Sequence, residues 1–466
     1  MTPFERSFTH DDQLQFAEAS GDWNPVHVDP VEARRTPYGQ IVHGIHALTW
    51  ALDGYLRTGG AVPSRIRVSF QRPIGLNQRV TVTHSIEGAD ELLTLSGRLG
   101  VYSTVRLTPG GERRSEACTA PSDDENRTPA TPAFAEARGA SGALIAWGDD
   151  SRLTRMFPHL GAQIGSLRIA ALLTLSRLVG MILPGLHSVF TGLDFSIVTA
   201  DVAPLAYRVS RHSIPNAPVR LSVEGAGLAG SVDAFFRPIP AEQASAAVIG
   251  SLVGAGEFAG QSALIIGGSR GLGEATAKLV AIGGGHVTVT YQVGEQDARR
   301  VAGEIVEAGG RCRVLQLDVR EPEAPLASLI AAGFVPTHVY YFASPPIHAN
   351  RAGFDSTAFD VFASYYVLSF ERLCRVLARG AGARVFYPST VFLDHLAIGF
   401  AEYVCAKAAG EALCGQLVRV YPNLSIVVER LPRTHTDQTN SFLETRGASA
   451  HDVMVGIVRQ MSGGVA

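Results

Sequence analysis

The pattern of apolar and polar positions predicts the same arrangement twice in the first half of the chain. The first copy is a helix-like stretch followed by strand-like runs, at residues 43–56, 65–70, 79–85, 91–99 and 102–107. The second copy has the same order, at residues 164–182, 187–197, 206–212, 219–224 and 231–236. The alternation in Val80–His84 is typical of a half-buried strand. One long helix followed by an antiparallel meander therefore occurs twice, which indicates a diverged internal repeat.

The second half of the chain has a different pattern. Short apolar runs, separated by helical stretches, occur at residues 262–266, 286–290, 313–317, 338–342, 384–387 and 425–429. Alternating strands and helices predict a parallel, doubly wound sheet.

Length and composition divide the chain further. With 466 residues, two to four domains are expected at about 100–200 residues each. Two stretches rich in Pro and small or polar residues, 119–132 and 238–260, interrupt the regular pattern. We therefore predict domains at residues 1–120, 133–240 and 258–466.

Charge and cysteine content exclude several classes of protein. A net charge of −3 argues against a nucleic-acid partner, whose domain is normally basic. The five cysteines contain no C-x-x-C pair, so we expect no disulfide framework, no metal site and a cytoplasmic location. No signal-peptide core follows Met1. The apolar stretch 167–183 carries Arg168 and Arg177, so we predict a buried helix and no membrane span.

The first candidate site lies in residues 16–33. The motif consists of Phe16, Ser20, Gly21, Asp22, Asn24, Pro25, His27, Asp29 and Ala33, followed by His43-Gly44. It resembles the signature of the MaoC-like, (R)-specific enoyl-thioester hydratases. The resemblance implies a hotdog fold, in which a sheet wraps a long helix. The predicted fold class is thus an α+β double hotdog followed by an α/β Rossmann-type sheet.

The chemistry of this family explains the residue types. Dehydration of a 3-hydroxyacyl thioester removes a proton from C2 and protonates the departing hydroxyl. Asp22 and His27 can share these transfers, each worth typically about 10²–10⁴-fold in rate. The Gly44 N–H, after His43 at a helix N-terminus, would stabilise charge on the thioester oxygen. Asn24 would orient the pair or a water.

The second repeat contains no second Asp/His motif, and His159 alone is interpreted as structural. We interpret this repeat as a hotdog without its own chemistry. We expect it to pack beside the first repeat and to widen the space for a long or carrier-bound acyl chain.

The second candidate site begins with a glycine-rich loop after an apolar strand. Its nucleotide-binding residues are Gly267, Ser269, Arg270, Gly271, Leu272 and Gly273. A helix follows, which is the context a pyrophosphate site needs. Together with Leu317-Asp318-Val319 and Tyr403-Val-Cys-Ala-Lys407, this loop resembles the short-chain dehydrogenase/reductase family over roughly residues 260–440.

The resemblance implies roles for these residues. Tyr403 would be the general acid, and Lys407, one helical turn later, would lower the tyrosine pKa and hold the cofactor ribose. Asp318 would contact the adenine. Ser389 and Thr390 are both candidates for the hydroxyl that bonds the substrate oxygen: residue type favours Ser389 and spacing to Tyr403 favours Thr390.

NADPH is the predicted cofactor. The end of the second strand, Thr290–Gly294, has no acid to bind a ribose 2′-hydroxyl, and Arg270 could meet a 2′-phosphate. Several positions depart from the family pattern: Ile266 replaces the usual threonine, Phe342-Ala-Ser-Pro345 replaces Asn-Asn-Ala-Gly, and Ser364 is the nearest substitute for the usual asparagine. The chain also ends without a recognisable final strand.

Joined, the two resemblances imply a 3-ketoacyl-thioester reductase that uses NADPH and a (3R)-hydroxyacyl-thioester dehydratase. Their substrate would be an acyl thioester on acyl carrier protein or coenzyme A, in fatty-acid-like or polyketide biosynthesis. Assembly as a homodimer is left open. Two alternatives stand beside this hypothesis. One is a dehydratase with a silent reductase-like scaffold domain, and the other is the reverse pair of β-oxidation, hydration followed by oxidation.

Overall fold

A computed structural model describes residues 2–36, 38–118, 126–146, 148–199, 204–212, 217–350, 353–439 and 447–463. The described residues up to Ile239 form one compact unit, and those from Pro240 onward form a second one. The predicted linker 119–132 lies partly outside the described residues.

The first unit contains ten strands among its described residues. They are β1 (Phe4–Ser7), β2 (Pro63–Phe70), β3 (Arg79–Glu87), β4 (Asp90–Gly97), β5 (Gly100–Pro109), β6 (Ser141–Leu144), β7 (Ser188–Ile197), β8 (Leu205–Arg211), β9 (Val219–Gly225) and β10 (Leu228–Phe236). The helices are α1 (His10–Ser20), α2 (Pro25–Val28), α3 (Gly44–Arg57), α4 (Asp150–Met156), α5 (Pro158–Ile164) and α6 (Ser166–Arg177). A π-helical turn, Leu178–Ile182, continues α6, and 3₁₀ turns cover Glu32–Arg35, Phe134–Ala137 and Gly185–His187.

These strands form one sheet whose order confirms the internal repeat. The order is β1-β3-β4-β5-β2 in the first half and β7-β10-β9-β8-β6 in the second, so that each half is the mirror of the other. The halves join where β2 pairs antiparallel with β7, in a register that sets Arg67 opposite Asp194. The prediction that the second repeat packs beside the first is therefore confirmed. The sequence pattern did not predict β1 and β6, the short outer strands.

The long helices α3 and α6 supply the centre of the unit. Every residue of α6 from Ser166 to Ser176 is buried, including Arg168. A buried guanidinium needs a charged partner, and Arg168 Nη1 and Nη2 donate to Glu116 at 2.7 and 3.2 Å. The predicted buried helix is thus confirmed.

Within the described residues, no single helix is long and apolar enough to cross a membrane. The bent pair of Pro158–Ile164 with Ser166–Ile182 satisfies the length and composition criteria together.

The second unit is a parallel sheet with helices. Its strands are β11 (Ser262–Ile266), β12 (His286–Tyr291), β13 (Arg311–Gln316), β14 (His338–Tyr341), β15 (Ala383–Thr390) and β16 (Leu424–Leu431). Its helices are α7 (Ala246–Gly250), α8 (Gly271–Ile282), α9 (Glu295–Glu307), α10 (Glu323–Ala331), α11 (Ser356–Ala363), α12 (Phe370–Ala378), α13 (Phe392–His395), α14 (Ala401–Val420) and α15 (Ala450–Ser462), with a π-helical segment at Ser364–Ser369.

The order of this sheet is β13-β12-β11-β14-β15-β16. The strand order reverses between β11 and β14, and an open parallel sheet binds its ligand at such a switch point, beyond the carboxyl ends of the strands. The loop after β11 and the end of β15 both lie at these carboxyl ends. The fold class predicted from the sequence, a double hotdog followed by a Rossmann-type sheet, is confirmed.

Candidate functional site

The chain turn after α1 brings Asp22 into the interior of the first unit. Gly21 ends α1 in the left-handed region, with φ of 72°, a conformation that glycine adopts without strain. Asn24 then caps α2 by accepting a hydrogen bond from Val26 N at 3.2 Å. The two bends leave Asp22 and Asn24 only 2% and 1% exposed. Local turn chemistry therefore places the carboxylate beside the first turn of α2, which carries His27.

The hydrogen bonds of His27 define its tautomer. Nδ1 lies 2.9 Å from the carbonyl oxygen of Ile41, an atom that can only accept, so Nδ1 carries the proton. The other ring nitrogen, Nε2, is then left with its lone pair. Loss of hydration lowers the pKa of His27, while the charge of Asp22 raises it. His27 is thus biased toward the neutral form, which can accept a proton through Nε2.

The Asp22 carboxyl is held from two sides. Its Oδ2 accepts a hydrogen bond from the Ser176 hydroxyl at 2.6 Å, and its Oδ1 accepts one from Asn24 N at 3.2 Å. Burial raises the pKa of Asp22, opposed by the nearby His27 and by the Ser176 hydrogen bond. Burial thus favours the protonated carboxyl, the form that can give a proton away.

The second repeat supplies one wall of this site. Ser176 belongs to α6, and the π-helical turn after it brings Gly180 against Asp22. A Cβ on Gly180 would lie 2.3 Å from Asp22 Oδ1, so only glycine fits there. The side-chain amide of Asn24 donates to the Gly180 carbonyl at 2.8 Å and to the Gly185 carbonyl at 3.2 Å. Ser176 and Gly180 were not among the site residues predicted from the sequence.

His43 lies behind the Asp22/His27 pair. It is fully buried, its Nδ1 lies 2.9 Å from Gln13 Oε1, and its Nε2 lies 3.1 Å from the Asp22 carbonyl oxygen. Its ring stacks on that of His27 with centres 3.9 Å apart. This position supports His27 and leaves no polar atom of the His43 ring for a substrate.

Gly44 begins α3, where the first N–H groups have no acceptor within the helix. Its N–H therefore has no acceptor within α3. In the part of the chain that the structure describes, Asp22, His27 and His43 form a cluster whose ligand-type atoms lie within 4.8 Å of one another.

The glycine loop after β11 has the shape that a dinucleotide requires. Gly267 and Gly271 have φ of 73° and 56°, which favour glycine. A Cβ on Gly273 would lie 2.2 Å from the carbonyl oxygen of Gly267, so the loop packs closely on the start of α8. The Gly267 N–H donates to Thr290 Oγ1 at 3.0 Å, which ties the loop to β12. The loop thus fits a pyrophosphate at the N-terminus of α8.

The other predicted nucleotide-binding residues have defined places. Ser269 is buried, and Leu272 is partly buried against the core of the sheet. Arg270 caps α8 and forms an ion pair with Asp437. Asp318 accepts a hydrogen bond from Gln292 Nε2 at 3.0 Å and forms an ion pair with Arg320. Both charged candidates are therefore ion-paired.

The structure distinguishes the two hydroxyl candidates at the end of β15. The Thr390 side chain is close enough to Tyr403 to lower the pKa of its phenol. Ser389 instead donates to Glu411 Oε1 at 2.5 Å. Successive side chains of a strand point to opposite faces, which explains why only one of the two can meet Tyr403. The geometry therefore favours Thr390 and places Ser389 away from Tyr403.

Lys407 occupies an aromatic and nearly dry environment. It is 5% exposed, and its Nζ donates to the Pro388 carbonyl at 2.6 Å. The same atom lies 3.9 Å from the centre of the Tyr366 ring and 6.0 Å from that of Tyr403. Burial lowers the pKa of Lys407 to about 7, and burial raises the pKa of Tyr403, opposed by the Thr390 hydrogen bond.

The usual asparagine position is filled differently from our expectation. Ser364 donates to the Val361 carbonyl at 2.7 Å, within its own helix. Tyr366, in the π-helical segment, is the residue that faces Lys407, and its hydroxyl lies 2.6 Å from Ser344 Oγ. The bulged backbone of this segment, which local sequence does not reveal, turns Tyr366 inward.

Both parts of the chain match known families. Residues 2–104 match the family described as MaoC like domain, and residues 261–332 match the family described as short chain dehydrogenase. The chain is 33% identical over 125 residues to 3-hydroxyacyl-thioester dehydratase Z of Mycobacterium tuberculosis, a match that covers 25% of this chain and 80% of that protein.

Matches to the second half are also found. The chain is 27% identical over 192 residues to NADPH-dependent aldehyde reductase 2, chloroplastic, of Arabidopsis thaliana, covering 37% of this chain and 70% of that protein. A solved dehydrogenase/reductase from Sinorhizobium meliloti 1021 is 24% identical, with a TM-score of 0.41, over 47% of this chain and 92% of that one.

The two resemblances stated from the sequence are confirmed, and with them the prediction of an enzyme. The chain belongs to the MaoC-like dehydratase family through its N-terminal domain and carries a short-chain dehydrogenase/reductase domain downstream.

Proposed function

We propose that this protein reduces a 3-ketoacyl thioester and then dehydrates the (3R)-hydroxyacyl product to the trans-2-enoyl thioester. The proposal is carried by one observation: Asp22 and His27 belong to one cluster whose ligand-type atoms lie within 4.8 Å of one another. Burial lowers the pKa of the His27 imidazole and raises that of the Asp22 carboxyl, and these directions favour a base and an acid for dehydration. The second domain carries Tyr403 and Lys407 for the preceding reduction.

In the dehydration step, His27 Nε2 takes the proton from C2 of the substrate. The Asp22 carboxyl gives its proton to the C3 hydroxyl, the C3–O bond breaks, and water leaves. The Gly44 N–H, supported by the dipole of α3, stabilises the negative charge that develops on the thioester oxygen. Ser176 then stabilises the carboxylate form of Asp22 after the transfer.

In the reduction step, Tyr403 donates its phenolic proton to the C3 oxygen of the ketone. The Thr390 hydroxyl hydrogen-bonds the same oxygen. The Lys407 ammonium lowers the free energy of the tyrosinate that forms. A reduced nicotinamide, when bound, supplies the hydride to C3. Its phosphates would be held by the Gly267–Gly273 loop, and its ribose by Lys407.

NADPH is the cofactor that these residues favour. The strand β12 ends in Tyr291, and the following residues to Gly294 contain no acid for a ribose 2′-hydroxyl. Arg270 stands in the loop where a 2′-phosphate would lie. The Arabidopsis relative is named for NADPH, which supports the same choice. We place the reaction pair in fatty-acid-like or polyketide synthesis, on acyl carrier protein or coenzyme A.

An assay of NADPH oxidation with acetoacetyl- and longer 3-ketoacyl thioesters tests the proposed function, with products resolved by mass spectrometry. Wild type is expected to form the enoyl thioester. Asp22→Asn is expected to stop at the hydroxy compound, and Tyr403→Phe is expected to consume no NADPH. Formation of enoyl product by Asp22→Asn at the wild-type rate contradicts the proposed dehydration site.

A second candidate is a dehydratase whose reductase-like domain is silent. The observation that favours it is the replacement of the asparagine by Tyr366, which lies over Lys407. In that case wild type hydrates crotonyl thioesters but oxidises no NADPH with any ketone. The same assay therefore separates the two candidates.

A further inference from the structure

The turn Thr434–Thr439, which follows β16, lies on the glycine loop of the second unit. A Cβ on Gly271 would lie 3.3 Å from Thr436 Cγ2, so the two segments are in van der Waals contact. The turn is held by its own hydrogen bonds, with Thr436 N donating to Thr439 Oγ1 at 3.0 Å and His435 N donating to the Ala448 carbonyl at 2.9 Å. It is therefore an ordered part of the loop's surroundings.

Asp437 projects from this turn to Arg270. The two side chains form an ion pair, in which the Arg270 side chain is 17% exposed and the Asp437 side chain is 11% exposed. Asp437 Oδ1 also accepts a hydrogen bond from Ala241 N at 2.8 Å. Arg270 is the N-cap residue of α8, at the glycine loop that would hold the cofactor phosphates. The Asp437 carboxylate therefore occupies, on the Arg270 guanidinium, the partner position that a phosphate oxygen of the cofactor would otherwise take.

We propose that Asp437 determines cofactor specificity by competing with the 2′-phosphate of NADPH for Arg270. This inference rests on the proposed function, which assigns Arg270 to that phosphate. A guanidinium that pairs in plane with one anion has fewer N–H groups left for a second. Binding of the 2′-phosphate therefore requires that Arg270 break its ion pair with Asp437 or that both anions bind the same guanidinium. Either outcome lowers the affinity for NADPH. NADH, which has no 2′-phosphate, makes no such demand.

The experiment measures the dissociation constants of NADPH and NADH for the full chain, by titration calorimetry without any acyl substrate. In Asp437→Asn the carboxylate charge is lost while the side chain keeps its shape and its acceptor oxygen for Ala241 N. NADPH is expected to bind about tenfold more tightly, because its 2′-phosphate no longer competes with a charged acceptor for the Arg270 N–H groups. NADH affinity is expected to stay within about twofold of the wild-type value.

Matched variants separate competition from general effects. Asp394→Asn removes an acid that pairs with Arg430 in the same unit, and it is expected to change neither constant. In an Arg270→Leu background, Asp437→Asn is expected to change nothing, because the shared cation is gone. Asp437→Ser, which also lacks the charge, is expected to repeat the Asp437→Asn result, and thermal unfolding of each variant identifies any that fails to fold.

The measured affinities distinguish a failure of the inference from a failure of the proposed cofactor. If wild type binds NADPH and both Asp437 variants keep its ratio of NADPH to NADH affinity, the inference is overturned and the proposed cofactor stands. Equal tightening of both nucleotides also overturns it. If only the Asp437 variants bind NADPH, the inference is supported. If neither wild type nor variants bind NADPH, both proposals fall.

Discussion

The Ser176 hydroxyl donates a 2.6 Å hydrogen bond to Oδ2 of Asp22, across a sequence separation of 154 residues. The donor lies in the second repeat and the acceptor in the first. We therefore expect Ser176 to position the Asp22 carboxyl, the proposed acid of the dehydration step, for which its own repeat has no counterpart.

Loss of this hydrogen bond should change both the rate and the pH dependence of dehydration. We expect Ser176→Ala to lower kcat about tenfold, since a hydrogen bond to a charged group is worth about 1.5–3 kcal/mol. Because Ser176 stabilises the carboxylate, its removal raises the Asp22 pKa further. If Asp22 acts as the acid, the alkaline limb of the pH–rate profile then moves to higher pH.

The control for Ser176 is Thr174→Val on the same helix. The Thr174 hydroxyl is buried and donates to the Ala170 carbonyl at 2.8 Å, within α6. A similar loss of rate in this variant, or an unshifted pH profile in Ser176→Ala, would show that α6 acts only through general packing.

Gly180→Ala should strongly lower the rate of dehydration and leave the rate of ketone reduction unchanged. The new Cβ would lie 2.3 Å from Asp22 Oδ1, so the carboxyl must move away from His27. A displacement on the order of 1 Å costs about 10²-fold in rate. Crotonyl-thioester hydration, followed by mass spectrometry, measures this loss.

Gly161→Ala is the matched control, because its Cβ would meet Ile169 Cδ1 at 3.6 Å and Thr154 Cα and Oγ1 at 3.8 Å, which are ordinary contacts. If Gly180→Ala hydrates the crotonyl thioester at the wild-type rate, the present position of Asp22 is not required for dehydration.

Substitutions of Thr390 and Ser389 should differ in their effect on kcat for ketone reduction. Thr390→Val removes the hydroxyl that lowers the pKa of Tyr403, and we expect kcat for ketone reduction to fall about 10²-fold. Ser389→Ala removes a bond to Glu411 and is expected to leave kcat within about threefold. The reverse ranking would assign the role to Ser389.

The pKa of Lys407 predicts a pH dependence of the reductase. At a pKa of about 7, the ammonium is present below that pH and is lost above it. We therefore expect kcat/KM for NADPH, which reports the free enzyme, to fall as the pH rises beyond about 7. Lys407→Arg keeps its charge at high pH and is expected to remove this decline, whatever its absolute rate.

The same shift has a consequence for stability. The folded protein binds the Lys407 proton more weakly than the unfolded chain, whose pKa is near 10.5. The contribution of Lys407 to the free energy of unfolding should therefore rise with pH between about 7 and 10.5. Lys407→Met, measured by denaturant titration, should lose this rise.

Local sequence was sufficient for the groups that belong to one turn or one helix. Asp22 and His27 are five positions apart around a turn, and Tyr403 and Lys407 are four apart on α14, so their spacing fixes their relation. The strands β2 and β7 were equally evident because apolar and polar side chains alternate along a half-buried strand.

Groups that meet through tertiary packing were not evident. Ser176 reaches Asp22 only because α6 packs beside the first repeat, and in the sequence it is one more small residue of an apolar helix. Tyr366 meets Lys407 because a π-helical segment shifts its helical phase. Asp437 lies in a turn, where an acid is ordinarily a solvated residue. No periodicity marks any of these three positions.

The antiparallel pairing of β2 with β7 makes each repeat the cover for the other's sheet edge. A half-chain ending before β7 would leave the β2 backbone from Arg65 to Ser69 without its ladder partner. Unpaired edges of this kind recruit other chains, leading to aggregation or domain-swapped dimers. The second repeat is thus expected also to keep the first from self-association.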